Sequence, residues 1–191
     1  MRQNRLTVIR HGQTEWSDAG RHTSVTDIDI TGVGIEGATA LRQKLGAQSY
    51  AQVLVSPRLR ARHTADLAGF HDRAVVEPDL AEWNYGSDEG RTTAEITADR
   101  PDWNLWTDDP MGGETNGEVA ARVDRVIDRV ANIDGEVLAF AHGHVLDILA
   151  ARWLGLDGRL GRLFKLDPTT ISILSWHHGR RVLERWNAPV D

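Results

Sequence analysis

Residues 6–14 read LTVIRHGQT, and the placement of this stretch decides the fold. Leu6, Thr7, Val8 and Ile9 are a short run of strand character, the pattern of a buried strand. Arg10, His11 and Gly12 follow without a break. Polar groups at the carboxyl end of a strand stand where open α/β sheets hold their ligands. Gly12 lets the chain turn abruptly or lets a ligand approach the backbone. A cation beside an imidazole at that point suits an anion whose phosphorus or carbonyl carbon the imidazole can attack.

Moving outward, residues 15–30 are polar and without sustained periodicity, and read as a loop over the strand's end. Thr31 is a candidate N-cap for a helix over 31–45, with Ile35, Ala38, Leu41, Arg42 and Leu45 near the 3.6 period. Glycines 32, 34 and 37 weaken its first turn. QVLVS at 52–56 reads as a second buried strand. Pro57 suits the first position of a helix over 58–68, which carries RLRARHTADLA. Strand, helix, strand, helix implies parallel pairing with a crossover and hence an α/β sheet. A third short strand is expected at 74–76. Residues 80–115 are irregular, with short helices near 93–98 and 102–106, and read as a lid or substrate region. Clean helical spacing returns over 116–133, followed by an apolar strand at 136–141 (EVLAFA), His142-Gly143-His144 and a helix through 154. Two final strands, 170–176 and 181–185, read as an antiparallel edge joined at 177–180. The expectation is one domain over 1–191, a three-layer sandwich around a mostly parallel sheet.

Composition narrows the function. At 191 residues, 40% apolar and 26% charged, the chain has the make-up of a globular protein with a sizeable core. There is no cysteine, so disulfides, thiolate metal sites and a cysteine nucleophile are excluded, and a cytoplasmic setting fits. The start, MRQNRLTVIRHG, carries no signal-peptide pattern, and no apolar run reaches the roughly 18 residues of a membrane span. A formal charge of −6 argues against nucleic acid as a partner. An anionic substrate therefore has to be captured by a local arginine cluster.

The His-Gly event occurs twice. Ile9-Arg10-His11-Gly12 and Phe140-Ala141-His142-Gly143-His144 each place a His-Gly pair after an apolar strand. If those strands are neighbours in a parallel sheet, two imidazoles converge on one edge. The arginine-rich start of the helix after the second strand reaches the same edge. Arg58 and Arg62 share one face of that helix and Arg60 lies about 160–200° away; either set meets the anion, and spacing does not choose. Arginine's planar fork matches phosphate oxygens.

R-H-G-Q-T at 10–14, S-P-R-L-R-A-R-H-T at 56–64, E-W-N-Y-G at 82–86 and A-H-G-H at 141–144 together resemble the histidine phosphatase superfamily, the phosphoglycerate-mutase-like proteins. Four ordered blocks cover nearly the whole chain. The resemblance implies a phosphohistidine at His11, with Arg10, Arg60 and His142 completing the phosphate pocket and Glu82 as proton donor. It chooses Arg60, four residues before Thr64. It also implies substrate or phosphate contacts from Gln13, Ser17, Thr23, Ser24, Tyr85 and Gly143, with Ser17 standing where many members have Asn. The physics of each role agrees: a neutral imidazole offers a lone pair, arginines and a cationic or donating His142 stabilise transition-state charge, and Trp83 and Tyr85 supply surroundings that raise the Glu82 pKa.

His142-x-His144 and His177-His178 are spacings that metals sometimes use, but no H-E-x-x-H or dense Asp/His block accompanies them, so neither metal nor cofactor is expected. Trp103 and Trp106 read as packing; for Trp83 and Tyr85, pocket and core stay open. The blocks stand nearest to the small bacterial acid phosphatases and sugar-bisphosphatase-like members. Three classes follow: a hydrolase of small phosphorylated metabolites, a phosphoglycerate-type mutase, and a non-catalytic phospholigand binder. Mutases of this kind carry adjacent arginines and a lysine after their glutamate block. Here residues 86–114 hold only Arg91 and Arg100 against five Asp and three Glu, an acidic stretch expected to repel a second anionic group, and little chain follows the last hairpin to seal the site. Hydrolysis is the expectation. Oligomeric state is not legible.

Overall fold

The alternation of side chains along the strands builds two cores. In this computed structural model, which describes residues 4–190, six strands form one sheet. Residues 1–3, part of the stretch read for a leader, and the chain end at Asp191 lie outside the described residues. The strands are β1 (Leu6–Arg10), β2 (Gln52–Val55), β3 (Ala74–Val76), β4 (Val137–Ala141), β5 (Ile171–His177) and β6 (Arg180–Ala188), in the order β3-β2-β4-β1-β5-β6. β3, β2, β4 and β1 run parallel; β5 and β6 are antiparallel. This is the mostly parallel α/β sheet with antiparallel edge strands that the strand–helix alternation implies.

Leu6, Val8, Leu54, Val137 and Ala139 turn to one face, Ile9, Val53, Val55, Leu138 and Phe140 to the other. Seven α-helices are described: α1 (Glu15–Asp18), α2 (Gly32–Gly46), α3 (Leu59–Ala65), α4 (Thr93–Asp99), α5 (Leu105–Asp108), α6 (Asn116–Ala131) and α7 (Gly143–Trp153). α6 and α7 cover the first face with Val119, Val123, Val126, Val145 and Leu149. α2 and α3 cover the second with Leu41, Leu45, Ala61 and Ala65.

Several local expectations are corrected. Residues 15–30 are not wholly loop: Thr14 and Ser17 form a capping box that nucleates α1. The buried face of α2 is Gly34, Ala38, Leu41 and Leu45, with Ile35 and Arg42 outside it. The glycine that weakens this helix also positions it: a Cβ on Gly34 would lie 2.4 Å from the Gln13 carbonyl oxygen, so the helix can cross the chain after His11 only without a side chain there. Pro57 precedes α3 rather than opening it; Arg58 is the N-cap and makes no side-chain cap bond. The Leu59 amide donates instead to Asp27 Oδ1 at 2.7 Å, a cap from a distant loop. α3 gives way at residue 66 to a wider turn containing Gly69 at φ 93°. The helix expected at 102–106 begins only at Leu105, because Asn104 caps it. Residues 80–115 also contribute core as well as surface: Leu80, Trp83, Ile96 and Leu105 are buried under α6 and α7.

Candidate active site

The carboxyl ends of β2, β4 and β1 lie side by side. Because Arg10 pairs with Ala141 in the parallel register, His11 and His142 emerge together, with ring centroids 5.1 Å apart at 62°. The Gly12 amide donates to Thr64 Oγ1 at 2.9 Å, and that hydroxyl donates to the Arg60 carbonyl at 2.7 Å. The turn after β1 is thereby locked to α3.

His11 Nδ1 lies 2.7 Å from the Gly12 carbonyl oxygen. A carbonyl only accepts, so Nδ1 carries the proton and Nε2 the lone pair. Burial, reinforced by the positive charges of Arg60 and Arg10, holds the ring's pKa well below the ordinary imidazole value. A neutral ring with a free Nε2 is a nucleophile.

The second histidine differs from the expectation. His142 is fully buried, and Arg60 Nε donates to its Nδ1 at 3.2 Å. Nδ1 is therefore the acceptor, and Nε2–H donates to Ser56 Oγ at 2.7 Å. Burial and the Arg60 charge depress its pKa well below the ordinary value. His142 is thus neutral, and both ring nitrogens are already engaged, so it is neither a cation nor a spare donor. Arg60 is likewise wholly buried, and also donates to the carbonyls of Thr23, Ser24 and Thr26. The geometry places it beneath the cleft, tying the 23–26 loop to His142.

Glu82 comes from the other side. Its Oε1 accepts from the amides of Trp83 and Val145 at 2.9 and 2.8 Å, and Oε2 accepts from the His144 amide at 3.2 Å. The N-cap residue His142 supplies no cap to α7, and Glu82 does so from across the cleft. Of its two aromatic neighbours, Trp83 packs inward with Nε1 donating to the Glu114 carbonyl, whereas Tyr85 lines the cleft with Oη 2.6 Å from His144 Nδ1. Burial lowers the His144 pKa to about 4.

These elements enclose a cleft of about 360 Å³, walled by Arg10, His11, Ser17, Thr23, Glu82, Tyr85 and Gly143 among others. Arg10 donates from Nη1 to the Leu166 carbonyl at 2.6 Å, while its buried Nε has no partner. The other expected contacts fare unequally. Ser17 faces the cleft, but its hydroxyl donates to the Thr14 carbonyl and accepts from the Thr14 amide. Thr23 lines the wall with its hydroxyl on the Arg21 carbonyl. Ser24 is withdrawn, its hydroxyl donating to the Glu82 carbonyl. Gln13 is also outside the wall, donating to Asp18 and accepting from Thr31. Trp103 and Trp106 pack with the core rather than the cleft. No cluster of three or more potential metal ligands occurs among the described residues.

The family model for the histidine phosphatase superfamily, branch 1, matches residues 6–189. The chain belongs to this superfamily. An acid phosphatase of Mycobacterium tuberculosis is 37% identical over 189 residues, covering 96% of this chain and 92% of the relative. A sedoheptulose 1,7-bisphosphatase of Saccharomyces cerevisiae is 37% identical over 185 residues, covering 80% and 68%. The solved structure of a Mycobacterium tuberculosis open reading frame superposes with a TM-score of 0.93 at 35% identity, covering 98% of this chain and 99% of that one. No helix of this histidine phosphatase, among the described residues, is long and apolar enough to cross a membrane.

Sequence reasoning did not single out several polar residues that this superfamily member brings to the cleft, among them Arg21, His22, Asp147 and Lys165, and it weighed His144 only as a metal ligand. Asp147 lies one helical turn after Gly143, so a walk up α7 from the A-H-G-H block would have found it. The acids of residues 86–114 are not where the acidic-stretch expectation put them. Asp88 pairs with Arg100, Glu95 with Arg21 and Glu114 with Arg122, while Glu89 accepts from the Ser24 and Thr26 amides. Of that stretch only Thr93 reaches the cleft wall, whose charged groups, Arg10, Arg21 and Lys165 with Glu82, Asp147 and Asp167, all come from elsewhere. Repulsion by an acidic lid is therefore no ground for choosing between hydrolysis and phosphate exchange.

Proposed function

We propose that this protein hydrolyses phosphate monoesters of small metabolites through a phosphohistidine at His11, without a metal ion. The observation that carries the reading is His11 itself: neutral, with Nδ1–H held by the Gly12 carbonyl and Nε2 left unprotonated in a cleft beside Arg10. Nε2 attacks phosphorus and the P–O bond to the alcohol breaks, with Glu82 delivering a proton to the departing oxygen. Glu82 then takes a proton from water as that water attacks the phosphohistidine. The P–N bond breaks, inorganic phosphate leaves, and the imidazole is restored. Arg10 lines the cleft beside His11, and its guanidinium supplies to the phosphate the charge that a divalent ion supplies elsewhere. Arg60 and His142 support the pocket from beneath. The relatives named above as phosphatases favour hydrolysis over mutase action, and the cysteine-free composition supports a cytoplasmic setting.

Acid quenching during turnover of a radiolabelled phosphomonoester, in the presence of a chelator, tests this. Acid-labile label is expected on the wild-type chain and none on His11→Ala, which should retain its fold and lose turnover. Full activity in His11→Ala, or activity that vanishes on chelation and returns with a divalent ion, would overturn the proposal.

A further inference from the structure

Asp147 is a buried carboxyl that the reaction just described does not use. It is 6% exposed, lines the same cleft as His11 and Glu82, and its Oδ1 has no hydrogen-bonding partner. It sits on α7 one turn after Gly143, and helical side chains lean toward the N-terminus. Its carboxyl therefore leans toward Gly143, where the Arg10 guanidinium lies: a Cβ on Gly143 would be 3.6 Å from Arg10 Cζ. Arg10 Nε is itself buried and unpartnered. One cleft thus holds an unmet donor, suited to a phosphate oxygen, and an unmet carboxyl. Buried polar groups are almost always paired in a working complex, and nothing in the described protein pairs with this Oδ1.

We infer that Asp147 determines specificity by hydrogen-bonding a hydroxyl group of the substrate's leaving alcohol, so that the cleft prefers polyhydroxylated phosphate esters, of the sugar or polyol phosphate class, over esters of equal size without a hydroxyl. This rests on the proposed phosphatase activity and names its substrate class. Burial, with the neighbouring Glu82 carboxylate, raises the Asp147 pKa well above the ordinary value against the opposing pull of Arg10. The protonated carboxyl so favoured both donates to and accepts from a hydroxyl. Lys165 and Asp167 on the facing wall are already paired with each other at 2.9 Å.

Two esters of matched length separate the cases: glycerol 3-phosphate and propyl phosphate. The wild-type protein is expected to favour glycerol 3-phosphate in kcat/KM. Asp147→Leu, of the same branched shape but unable to hydrogen-bond, should reduce the glycerol 3-phosphate to propyl phosphate ratio at least tenfold, whereas Asp147→Asn should keep it within about threefold. Thermal unfolding checks that both variants fold; if Asp147→Leu does not, Asp147→Ala takes its place. A ratio unchanged in the folded Leu or Ala variant overturns the inference. So does a wild-type protein that forms phospho-His11 from an aryl phosphate yet does not prefer glycerol 3-phosphate; the proposed function would then stand alone. Absence of any phospho-His11 would instead overturn the proposed function, and with it this inference.

Discussion

Arg60 Nε stands 3.2 Å from Nδ1 of His142, both residues with no exposed surface. A guanidinium can only donate, so this contact puts the His142 proton on Nε2 and directs it to Ser56. The same guanidinium satisfies three carbonyls of the 23–26 loop. Arg60 therefore joins the floor of the site to its wall.

Arg60→Lys keeps the charge and loses the fork. An ammonium has three donors on a flexible stem and cannot reach a ring nitrogen and three divergent carbonyls together. Each buried acceptor left unpaired costs about 1–3 kcal/mol. Denaturant unfolding should show a loss of at least that size, with turnover falling as the 23–26 loop loosens. A variant as stable as wild type would mean that these contacts contribute nothing in solution.

Glu82→Gln separates capping from chemistry. The amide can still accept one of the α7 hydrogen bonds but cannot give a proton to a leaving alkoxide. Hydrolysis of alkyl phosphates should drop by roughly 10²–10⁴. Phosphorylation of His11 by an activated aryl phosphate, whose leaving group needs no proton, should suffer far less. Equal losses in the two phosphorylation rates would remove Glu82 from the proton-transfer role.

Stability should decline in acid. His11, His142 and His144 all have folded-state pKa values below the ordinary one, that of His144 at about 4. As pH falls through about 6.5 the unfolded chain takes up protons that the folded chain refuses. Their contribution is therefore complete above that pH and is lost as pH falls toward the folded values. Asp147 acts in the opposite sense, because its raised pKa makes the folded chain bind a proton the unfolded one releases. Three groups against one give a net slope of up to about 3 kcal/mol per pH unit, at about 1.4 for each. Unfolding free energies measured between pH 7 and pH 5 should fall accordingly, and stability that holds level or rises toward acid would mean that the folded protein does not keep the three rings neutral.

The backbone of the fold was legible because its signals are local. Apolar runs of four or five residues ending in R-H-G and A-H-G marked β1 and β4, but that the two are parallel neighbours was only a condition in that reading and is supplied by the sheet itself. Thr31 and the spacing of residues 116–133 located α2 and α6 within a few residues. Misjudgements arose where a distant group overrode the local one. The first turn of α2, discouraged by its glycines, is required by the backbone of Gln13; the start of α3, assigned to Pro57, is set by Asp27.

The sequence by itself put Arg10, His11 and His142 at strand ends, whereas Arg60 and Glu82 entered through the motif blocks of the family it resembles. Only the tertiary structure decided what each is free to do. Proton position on a ring depends on the atom opposite each nitrogen, and those atoms belong to Gly12, Ser56 and Arg60, up to 86 residues away. Whether an acid faces the substrate depends on whether a cation has already claimed it. Asp88, Glu95 and Glu114 are paired with arginines, while Asp147, inconspicuous in the chain, is left with an unmet oxygen in the cleft. Periodicity records which way a side chain points along its own element, but partners are assigned by burial and hydrogen bonding between elements.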